Sequence, residues 1–213
     1  MHPNDMPRLL EPGYLDLETG IRELEDGTVL VAALTSMAGV TAEMVRWWFA
    51  DFLATTEHYK WWHPVDHHWM DWEHKAPGEI VGAHHLVEET IGGIRQKLRI
   101  EFLDPTEIFR ADRLVSFDGV AIPARSGPLD GPLSFARMCH VVRNQPWGAE
   151  MRSRFWLGVV ESRDGTDVPD LRGPDGKLPI PPELPAGLQR HCSEEMSYLA
   201  AFLPELYRRE TGT

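Results

Sequence analysis

The run of short apolar segments between residues 79 and 161 constrains the fold more than any other feature of the sequence. Clusters of Gly, Pro and Asp separate these segments, and such short spacing leaves no room for crossover helices between parallel strands. The pattern therefore predicts antiparallel neighbours in one sheet. The predicted strands cover residues 79–91, 96–103, 114–122, 135–143 and 151–161.

The N-terminal part predicts a hairpin followed by a helix. Two apolar segments, residues 21–24 and 28–34, flank the dipeptide Asp26-Gly27, which is a strong signal for a tight turn between antiparallel strands. Thr41 then stands where a helix N-cap is expected. After it, apolar residues recur at helical spacing as far as residue 54, so this segment is predicted to be a short helix.

The C-terminal part predicts a long loop and one long helix. Residues 164–185 are rich in Pro and Gly and long enough to form a lid. A helix is predicted at 185–209, with Pro204 as a position that could kink or end it. The whole order predicts a single α+β domain over residues 1–213. The helix-grip arrangement, in which a curved antiparallel sheet wraps around a long C-terminal helix, suits this order best.

Charge and composition exclude several classes of partner. The formal net charge is −12, whereas binding to a phosphate backbone needs clustered Lys and Arg. The longest apolar run, residues 29–40, is too short to span a bilayer. The N-terminus lacks the pattern of a secretion signal, and Cys139 and Cys192 do not suggest a disulfide framework. We therefore expect a cytoplasmic protein that binds neither nucleic acid nor membrane.

The final helix carries a carboxylate on its apolar stripe. Burial of Glu195 there is costly unless a positive charge compensates it, and His191 projects from the same side one turn earlier. A metal ion would compensate the carboxylate and use the histidine nitrogen at once. The alternative is that Glu195 lies at the edge of the stripe, solvated or paired with an arginine. The predicted stripe consists of Leu188, Cys192, Glu195, Leu199, Phe202 and Leu206.

Further candidate ligands lie in two upstream segments. Residues 59–73 have no clean period and are crowded with Trp and His. The second segment is a predicted strand, in which alternation places His85 and Glu89 on one face. His84 and Glu88 lie on the other face. Two histidines and two carboxylates would suit Zn²⁺, and also Mn²⁺ or Fe²⁺. The candidates are His63, His67, His68, His84, His85, Glu88 and Glu89.

A series of sequence blocks carries a family resemblance. The blocks are Trp47-Trp48, YKWWHPVDH at residues 59–67, VEETIGG at 87–93, CHVVR at 139–143 and GAEMRSRFWLG at 148–158, followed by His191 and Glu195. In this shared order they resemble the 2,4-diacetylphloroglucinol hydrolase and phloretin hydrolase family. The resemblance covers roughly residues 40–205.

The resemblance implies a fold and a site. In this family a helix-grip domain holds zinc with two histidines and two glutamates. The implied zinc ligands are His67, Glu89, His191 and Glu195. Glu88 is the alternative to Glu89. Tyr59 and His140 match a Tyr and a His that contact the substrate and are the implied catalytic residues, and Phe155 stands where a second substrate-binding Tyr is expected.

The resemblance also implies a reaction, namely hydrolysis of the carbon–carbon bond between an acyl group and a phenolic, phloroglucinol-like ring, with release of a carboxylic acid. The substrate would be a small aromatic acyl-phenol, and the resemblance leaves a homodimer open. The Trp-rich segment could supply flat apolar walls for the ring, or it could be plain core. The alternative function is a metal-free helix-grip protein that binds a hydrophobic aromatic ligand without catalysis.

Overall fold

The computed structural model describes residues 1–174 and 176–213. Within them, eight strands form one sheet in the order β1-β2-β8-β7-β6-β5-β4-β3. Every neighbouring pair is antiparallel, as the short connections predict. The strands are β1 (Gly20–Glu23), β2 (Val29–Ala38), β3 (His67–Glu73), β4 (His84–Ile91), β5 (Ile94–Phe102), β6 (Gly119–Pro128), β7 (Leu133–Gln145) and β8 (Gly148–Ser162).

Four α-helices accompany the strands in the described residues. They are α1 (Ala42–Trp47), α2 (Thr56–Trp62), α3 (Ala111–Ser116) and α4 (Leu184–Thr211), with 3-10 turns at Pro3–Leu10 and Pro105–Glu107 and a π turn at Trp48–Phe52. Thr41 caps α1 as predicted, because its hydroxyl accepts a hydrogen bond from the Met44 amide at 3.2 Å. Within the described part of the chain, no helix has the length and apolar character needed to cross a bilayer.

Helix α4 confirms the helix-grip prediction. It packs against strands β1, β2, β4 and β8 and against helices α1 and α2, so the sheet encloses it. A proline in its first turn suits the N-terminus of a helix, and Gly212 closes the other end at a φ of 76°. Pro204 lies inside the helix and does not end it. The helix therefore continues beyond its predicted end at residue 209.

Strand β8 shows how the sheet separates two environments, because successive side chains point to opposite faces. Phe155 belongs to the core that α4 covers, and we call this side the α4 face. Trp156 packs instead with Leu9 and Leu10 of the N-terminal segment, and we call that side the N-terminal face. Alternate residues of β8 therefore belong to two different cores, one on each face of the sheet.

Two predicted strand boundaries are wrong. Residues 111–116, at the start of the strand predicted at 114–122, form helix α3, and β6 begins only at Gly119. This apolar run is not alternately buried, since Val115 is 89% exposed. The strand predicted at 79–91 begins only at His84, because Gly78 and Gly82 adopt positive φ angles of 76° and 77° that suit turns.

Candidate active site

Four predicted metal ligands converge from three elements. His67 begins β3 and is the antiparallel neighbour of Glu89 in β4, so these side chains come from adjacent strands. His191 and Glu195 lie one turn apart on α4, which contacts β4. All four side chains are buried: His67 is 1% exposed, Glu89 6%, His191 3% and Glu195 7%. We refer to these four residues as the donor cluster.

Three members of the donor cluster have ligand atoms close enough to share one ion, because atoms of His67, Glu89 and His191 all lie within 4.8 Å of one another. His67 Nε2 lies 3.3 Å from His191 Nε2 and 3.6 Å from Glu195 Oε2. Glu89 Oε2 lies 3.8 Å from His67 Nε2 and 3.6 Å from His191 Nε2. Tetrahedral zinc with bonds of about 2.0–2.2 Å separates its ligand atoms by about 3.3–3.6 Å. The spacing of His67, Glu89 and His191 is therefore close to that of three ligands of one ion, and Glu195 approaches this group through His67 without completing the set of mutually close atoms.

Both histidines of the donor cluster are held through their other ring nitrogen. His67 Nδ1 donates to the backbone carbonyl of Tyr59 at 2.9 Å, which leaves the lone pair on Nε2. His191 Nδ1 lies 3.4 Å from Asp66 Oδ2. Histidines that bind metals commonly donate their second N–H to a carbonyl or carboxylate in this way. Sequence reasoning missed Asp66, although it directly precedes His67 in the YKWWHPVDH block.

The donor cluster buries two carboxylates near each other. Burial raises the pKa of Glu195 to about 8, and the charge of Glu89 adds to this effect. Burial also opposes the charged form of Glu89, but the hydrogen bond with His191 outweighs it and lowers that pKa to about 2. Burial opposes the charge on His191, yet Glu89 and Glu195 together raise its pKa to about 9. At neutral pH Glu195 is therefore protonated and His191 is the cation that pairs with the carboxylate of Glu89, whereas a divalent ion would balance both carboxylates.

The structure places Glu88 away from the donor cluster. Its carboxylate accepts a hydrogen bond from Arg95 Nε at 2.6 Å on the other face of β4. His68 also points elsewhere, because its Nε2 lies 2.8 Å from the Thr90 hydroxyl. His63 lies beside the cluster, with its ring stacked on that of His191 at 4.8 Å. Of the Glu88/Glu89 alternatives, Glu89 is therefore the one that the fold brings to His67.

A cavity of about 490 Å³ opens from the donor cluster into the α4 face. Its walls are mostly aliphatic, and they also include the three side chains assigned to catalysis and substrate binding, namely Tyr59, His140 and Phe155. Aliphatic wall residues include Ile91, Leu98, Ile100, Met138, Leu157 and Leu188. The donor cluster contributes Glu89, His191 and Glu195 to the same lining. An apolar chamber with a few convergent polar groups is the usual form of a small-molecule site.

Tyr59 lies against the donor cluster. Its ring stacks on the imidazole of His67 at 3.7 Å between centroids, and its hydroxyl donates to Glu89 Oε2 at 2.8 Å. Burial and the neighbouring carboxylate of Glu89 raise the pKa of Tyr59 well above its usual value. The hydroxyl therefore stays protonated and acts as a hydrogen-bond donor at neutral pH.

His140 and Phe155 come from the neighbouring strands β7 and β8. Their rings meet edge to face at 5.8 Å, and the Ser153 hydroxyl lies 2.7 Å from His140 Nδ1. Burial lowers the pKa of His140 to about 4, so its imidazole is neutral at physiological pH. Nδ1 is engaged by Ser153, and Nε2 is the nitrogen left for a molecule in the cavity.

The Trp-rich segment is mainly core. Among its indoles in the described residues, Trp62 is the one that lines the cavity. Trp48 packs on Phe202 of α4 at 5.5 Å, and Trp47 packs on Tyr207 at 5.1 Å. The loop predicted at 164–185 does reach the cavity. Its contributions to the wall are Leu171, Leu178, Pro179, Ile180, Pro181 and Leu184.

The sequence of this chain is similar to those of several known hydrolases. A phloretin hydrolase from Eubacterium ramulus is 29% identical over 199 residues, which cover 88% of this chain and 70% of that protein. A 2,4-diacetylphloroglucinol hydrolase from a Pseudomonas species is 28% identical over 230 residues, covering 98% of this chain and 76% of that protein. The corresponding enzyme of Pseudomonas protegens is 28% identical, with coverages of 98% and 73%. The family model described as the DAPG hydrolase PhiG domain matches residues 1–208, and the chain belongs to that family.

Proposed function

We propose that the protein is a zinc-dependent hydrolase that cleaves the carbon–carbon bond between an acyl group and a phenolic, phloroglucinol-like ring and releases a carboxylic acid. One observation carries this proposal. Buried ligand atoms of His67, Glu89 and His191 lie within 4.8 Å of one another at one end of an apolar cavity, and Glu195 approaches them through His67 at 3.6 Å. A binding protein without chemistry has no use for two carboxyl groups buried at that end, since His191 supplies one positive charge for both and burial of the second group costs stability.

The donor set suits zinc by its chemistry. Two imidazole nitrogens and two carboxylate oxygens balance a divalent charge, and they also allow Mn²⁺ or Fe²⁺. Zinc in such a set acts as a Lewis acid that polarises a carbonyl oxygen and makes water a better nucleophile near neutral pH. The backbone carbonyl of Tyr59 and the carboxylate of Asp66 would hold the two histidines in place, since they already engage each Nδ1.

The reaction requires proton transfers in which side chains of the cavity wall can take part. A ring carbanion is a poor leaving group, so the ring first takes up a proton at the acyl-bearing carbon while a phenolic hydroxyl gives up its proton, which converts the ring to its ketone tautomer. Water then adds to the acyl carbon, and the bond to the ring breaks with its electron pair passing to the ring as an enolate. Tyr59 is protonated and now donates to Glu89, and it would turn this hydrogen to a substrate oxygen in order to act as a donor in the reaction. His140, neutral and buried, would orient a phenolic oxygen or move a proton.

The substrate class follows from the cavity and the relatives. A volume of about 490 Å³ with aliphatic walls accommodates one aromatic ring with acyl substituents. The relatives are named for phloretin and for 2,4-diacetylphloroglucinol, and the proposal carries this acyl-phenol class over to the present chain. Closure by the loop that lines the cavity would keep bulk water from the ring while it is protonated.

The direct test is incubation of zinc-loaded protein with 2,4-diacetylphloroglucinol, its monoacetyl analogue and phloretin. We expect one carboxylic acid to appear for each deacylated phenol formed, and His191→Ala serves as the control in the same fold. If the ring compounds bind tightly but no acid is released at any zinc concentration, the protein is a ligand-binding member of the fold and the hydrolase proposal is wrong.

A further inference from the structure

The cavity is much larger than one phenolic ring requires. Its volume is about 490 Å³, whereas a cavity of about 150 Å³ is large enough to bind benzene. An acetyl group adds little to the size of a ring, so an acetylated phenol would leave much of the space unfilled. Wall atoms beside an unfilled space lose their van der Waals contacts. The size of the cavity therefore indicates a substrate with a larger apolar substituent.

The cavity wall changes from polar to aliphatic along the β7–β8 hairpin. His140 lines the cavity at one point, and Met138 and its register partner Phe155 follow. Farther along the hairpin, Ala136 pairs with Leu157. Ala136 lies four residues from His140 in β7, which corresponds to about 13 Å of strand. This distance is large enough to separate a subsite for the ring from a subsite for its substituent.

Helix α4 and the long loop before it complete the aliphatic region. Leu188 lies one turn before His191 on α4. Two loop side chains lie against β8, because a Cβ atom on Gly158 would be 3.6 Å from Cδ1 of Ile180 and 3.7 Å from Cδ1 of Leu178. We call this region the apolar end of the cavity. It consists of Leu98, Ala136, Leu157, Leu178, Ile180 and Leu188.

The apolar end favours hydrocarbon over any polar group. Its six side chains have no atom that can form a hydrogen bond. A hydroxyl placed among them would lose its hydrogen bonds to water and gain none in return. A methylene group buried in the same place strengthens binding about fourfold. The chemistry of this region therefore matches a saturated chain.

We propose that the apolar end is the subsite for the acyl chain, and that the preferred substrates carry a saturated acyl chain several carbons longer than acetyl. This inference rests on the proposed function, which places the acyl carbonyl at the donor cluster and the ring beside Tyr59 and His140. A chain that leaves the carbonyl towards Leu188 enters the apolar end, because Leu188 is next to His191 along α4. The rival occupant is a hydroxyaryl group, as in phloretin, whose hydroxyl would need Gln96 or Ser126 of the cavity wall.

Binding without turnover tests the subsite first. Alkylphloroglucinols have no acyl carbonyl and cannot be hydrolysed, so the Kd values of the ethyl, butyl and hexyl compounds report on the chain alone. Calorimetry on the zinc-loaded protein should show Kd falling about fourfold for each added methylene until the cavity is full. A wild-type Kd that does not fall with chain length overturns the inference.

Two variants separate the subsite from general packing. Ala136→Leu fills part of the apolar end and should remove most of the gain from longer chains, while the Kd of the ethyl compound stays nearly unchanged. Leu206→Ala is the control, because Leu206 is 5% exposed in the same core but is not among the described residues of the cavity wall. It should keep the wild-type dependence on chain length even if it melts lower. Equal loss of this dependence in both variants overturns the inference.

Turnover distinguishes this inference from the proposed function. We expect kcat/KM to rise from the acetyl through the butanoyl to the hexanoyl phloroglucinol, and the hexanoyl compound to exceed phloretin. Chain-dependent binding without hydrolysis of any acyl-phenol supports the subsite and contradicts the hydrolase proposal. Hydrolysis that is fastest for the acetyl compound, or a preference for phloretin over the hexanoyl compound, overturns the inference and leaves the hydrolase proposal standing.

Discussion

The two faces of the sheet both bury charged side chains, but they balance the charge differently. On the N-terminal face, Arg152 and Arg154 of β8 are 1% and 0% exposed, and both donate to the carboxylate of Glu18. These three residues are the arginine cluster. On the α4 face, the donor cluster gathers two carboxylates around two histidines, with His191 as the local cation.

The difference lies in the groups that surround the buried charges. In the arginine cluster, both guanidinium groups donate to Glu18 and also to backbone carbonyls of Leu9 and Leu17, although Arg154 Nε has no hydrogen-bond partner. In the donor cluster, three side chains that can each bind a cation lie within 3.8 Å of His67 Nε2. Buried charge that is left short of a partner costs stability, and proteins accept such costs at functional sites. This difference is what we expect if the arginine cluster supports the fold and the donor cluster has the proposed role in metal binding.

The largest expected effect is the loss of metal and activity in the donor cluster. His191→Ala and Glu195→Ala should each lose the bound metal, and activity should fall by more than the ~10–100-fold typical of outer partners of a metal ligand. Glu194→Ala is the matched control, because Glu194 is exposed on α4 and its carboxylate meets His63 at 3.4 Å rather than the donor cluster. Metal content and kcat/KM are measured together. Equal losses in all three variants would mean that the helical face is misassigned.

The next largest effect is on stability and comes from the arginine cluster. Glu18→Gln should destabilise the fold by about 3–5 kcal/mol, since it leaves two buried guanidinium groups without their anion. Denaturant unfolding measures this, and Glu11→Gln is the control because Glu11 and Arg8 are both 55% exposed and 3.9 Å apart. The control should change the free energy of unfolding by less than about 0.5 kcal/mol.

The same variant should show a defined pH dependence. Burial opposes ionisation of Glu18, but hydrogen bonds from Arg152 and Arg154 outweigh it and lower its pKa from 4.5 to about 2. A lowered carboxyl pKa contributes stability that is fully present above the unfolded value and is lost as pH falls towards the folded value. The difference between wild type and Glu18→Gln should therefore shrink between about pH 4.5 and pH 2. A constant difference would contradict the pairing.

At Glu195 we expect a smaller effect on stability, and its sign depends on whether zinc is present. In chelated protein, burial raises the pKa of Glu195 to about 8, so folding at neutral pH must protonate a carboxyl that is ionised in the unfolded chain. Glu195→Gln removes this cost and should raise the melting temperature. In the presence of zinc, the wild type should gain stability that the variant cannot, because metal binding to the native state adds stability by mass action. Calorimetry with and without zinc measures both signs. A variant that melts lower in chelator would place Glu195 in a complete ion pair like that of Glu18.

The smallest expected effect concerns substrate choice. Phe155 lies beside His140 in the cavity wall and has no hydroxyl. A wall without a donor tolerates a substrate that lacks the matching oxygen, whereas a buried donor rejects it. Phe155→Tyr should improve kcat/KM on more hydroxylated acyl-phenols relative to less hydroxylated ones. The measurement is kcat/KM of both proteins on a panel of acyl-phenols, expressed as the ratio between the more and the less hydroxylated substrates. If this ratio does not change, Phe155 is a packing residue.

Local patterns in the sequence predicted much of the fold because they are periodic. The three-four spacing on α4 identified Glu195 as a carboxylate on a buried stripe, and the structure leaves it 7% exposed. The observed stripe differs from the predicted one at one position. Leu203 is buried there, whereas Phe202, the predicted member, is only partly buried. Short connections correctly predicted antiparallel pairing. These features depend on neighbours within a few residues, which a single sequence displays directly.

Contacts between residues that are distant in the sequence could not be predicted from such local patterns. The segment around Tyr59 had no clean period because it divides into the short helix α2 and the strand β3. The pairing of His67 with Glu89 depends on the register between two strands, which no local spacing encodes. Arg152 and Arg154 alternate with core residues of β8 and would be placed in solvent by their charge. Their partners, Glu18 and the backbone carbonyls of Leu9 and Leu17, all lie more than 130 residues away in the chain.

Metal analysis of the purified protein tests the central claim most directly. The account predicts about one equivalent of divalent metal per chain, most of it zinc, bound by the four donors. Removal of the metal by a chelator should abolish activity and lower the melting temperature, and both should return on addition of zinc. Protein that contains no metal, and whose melting temperature is unchanged by chelator and by added zinc, would contradict the assignment of the donor cluster as a metal site.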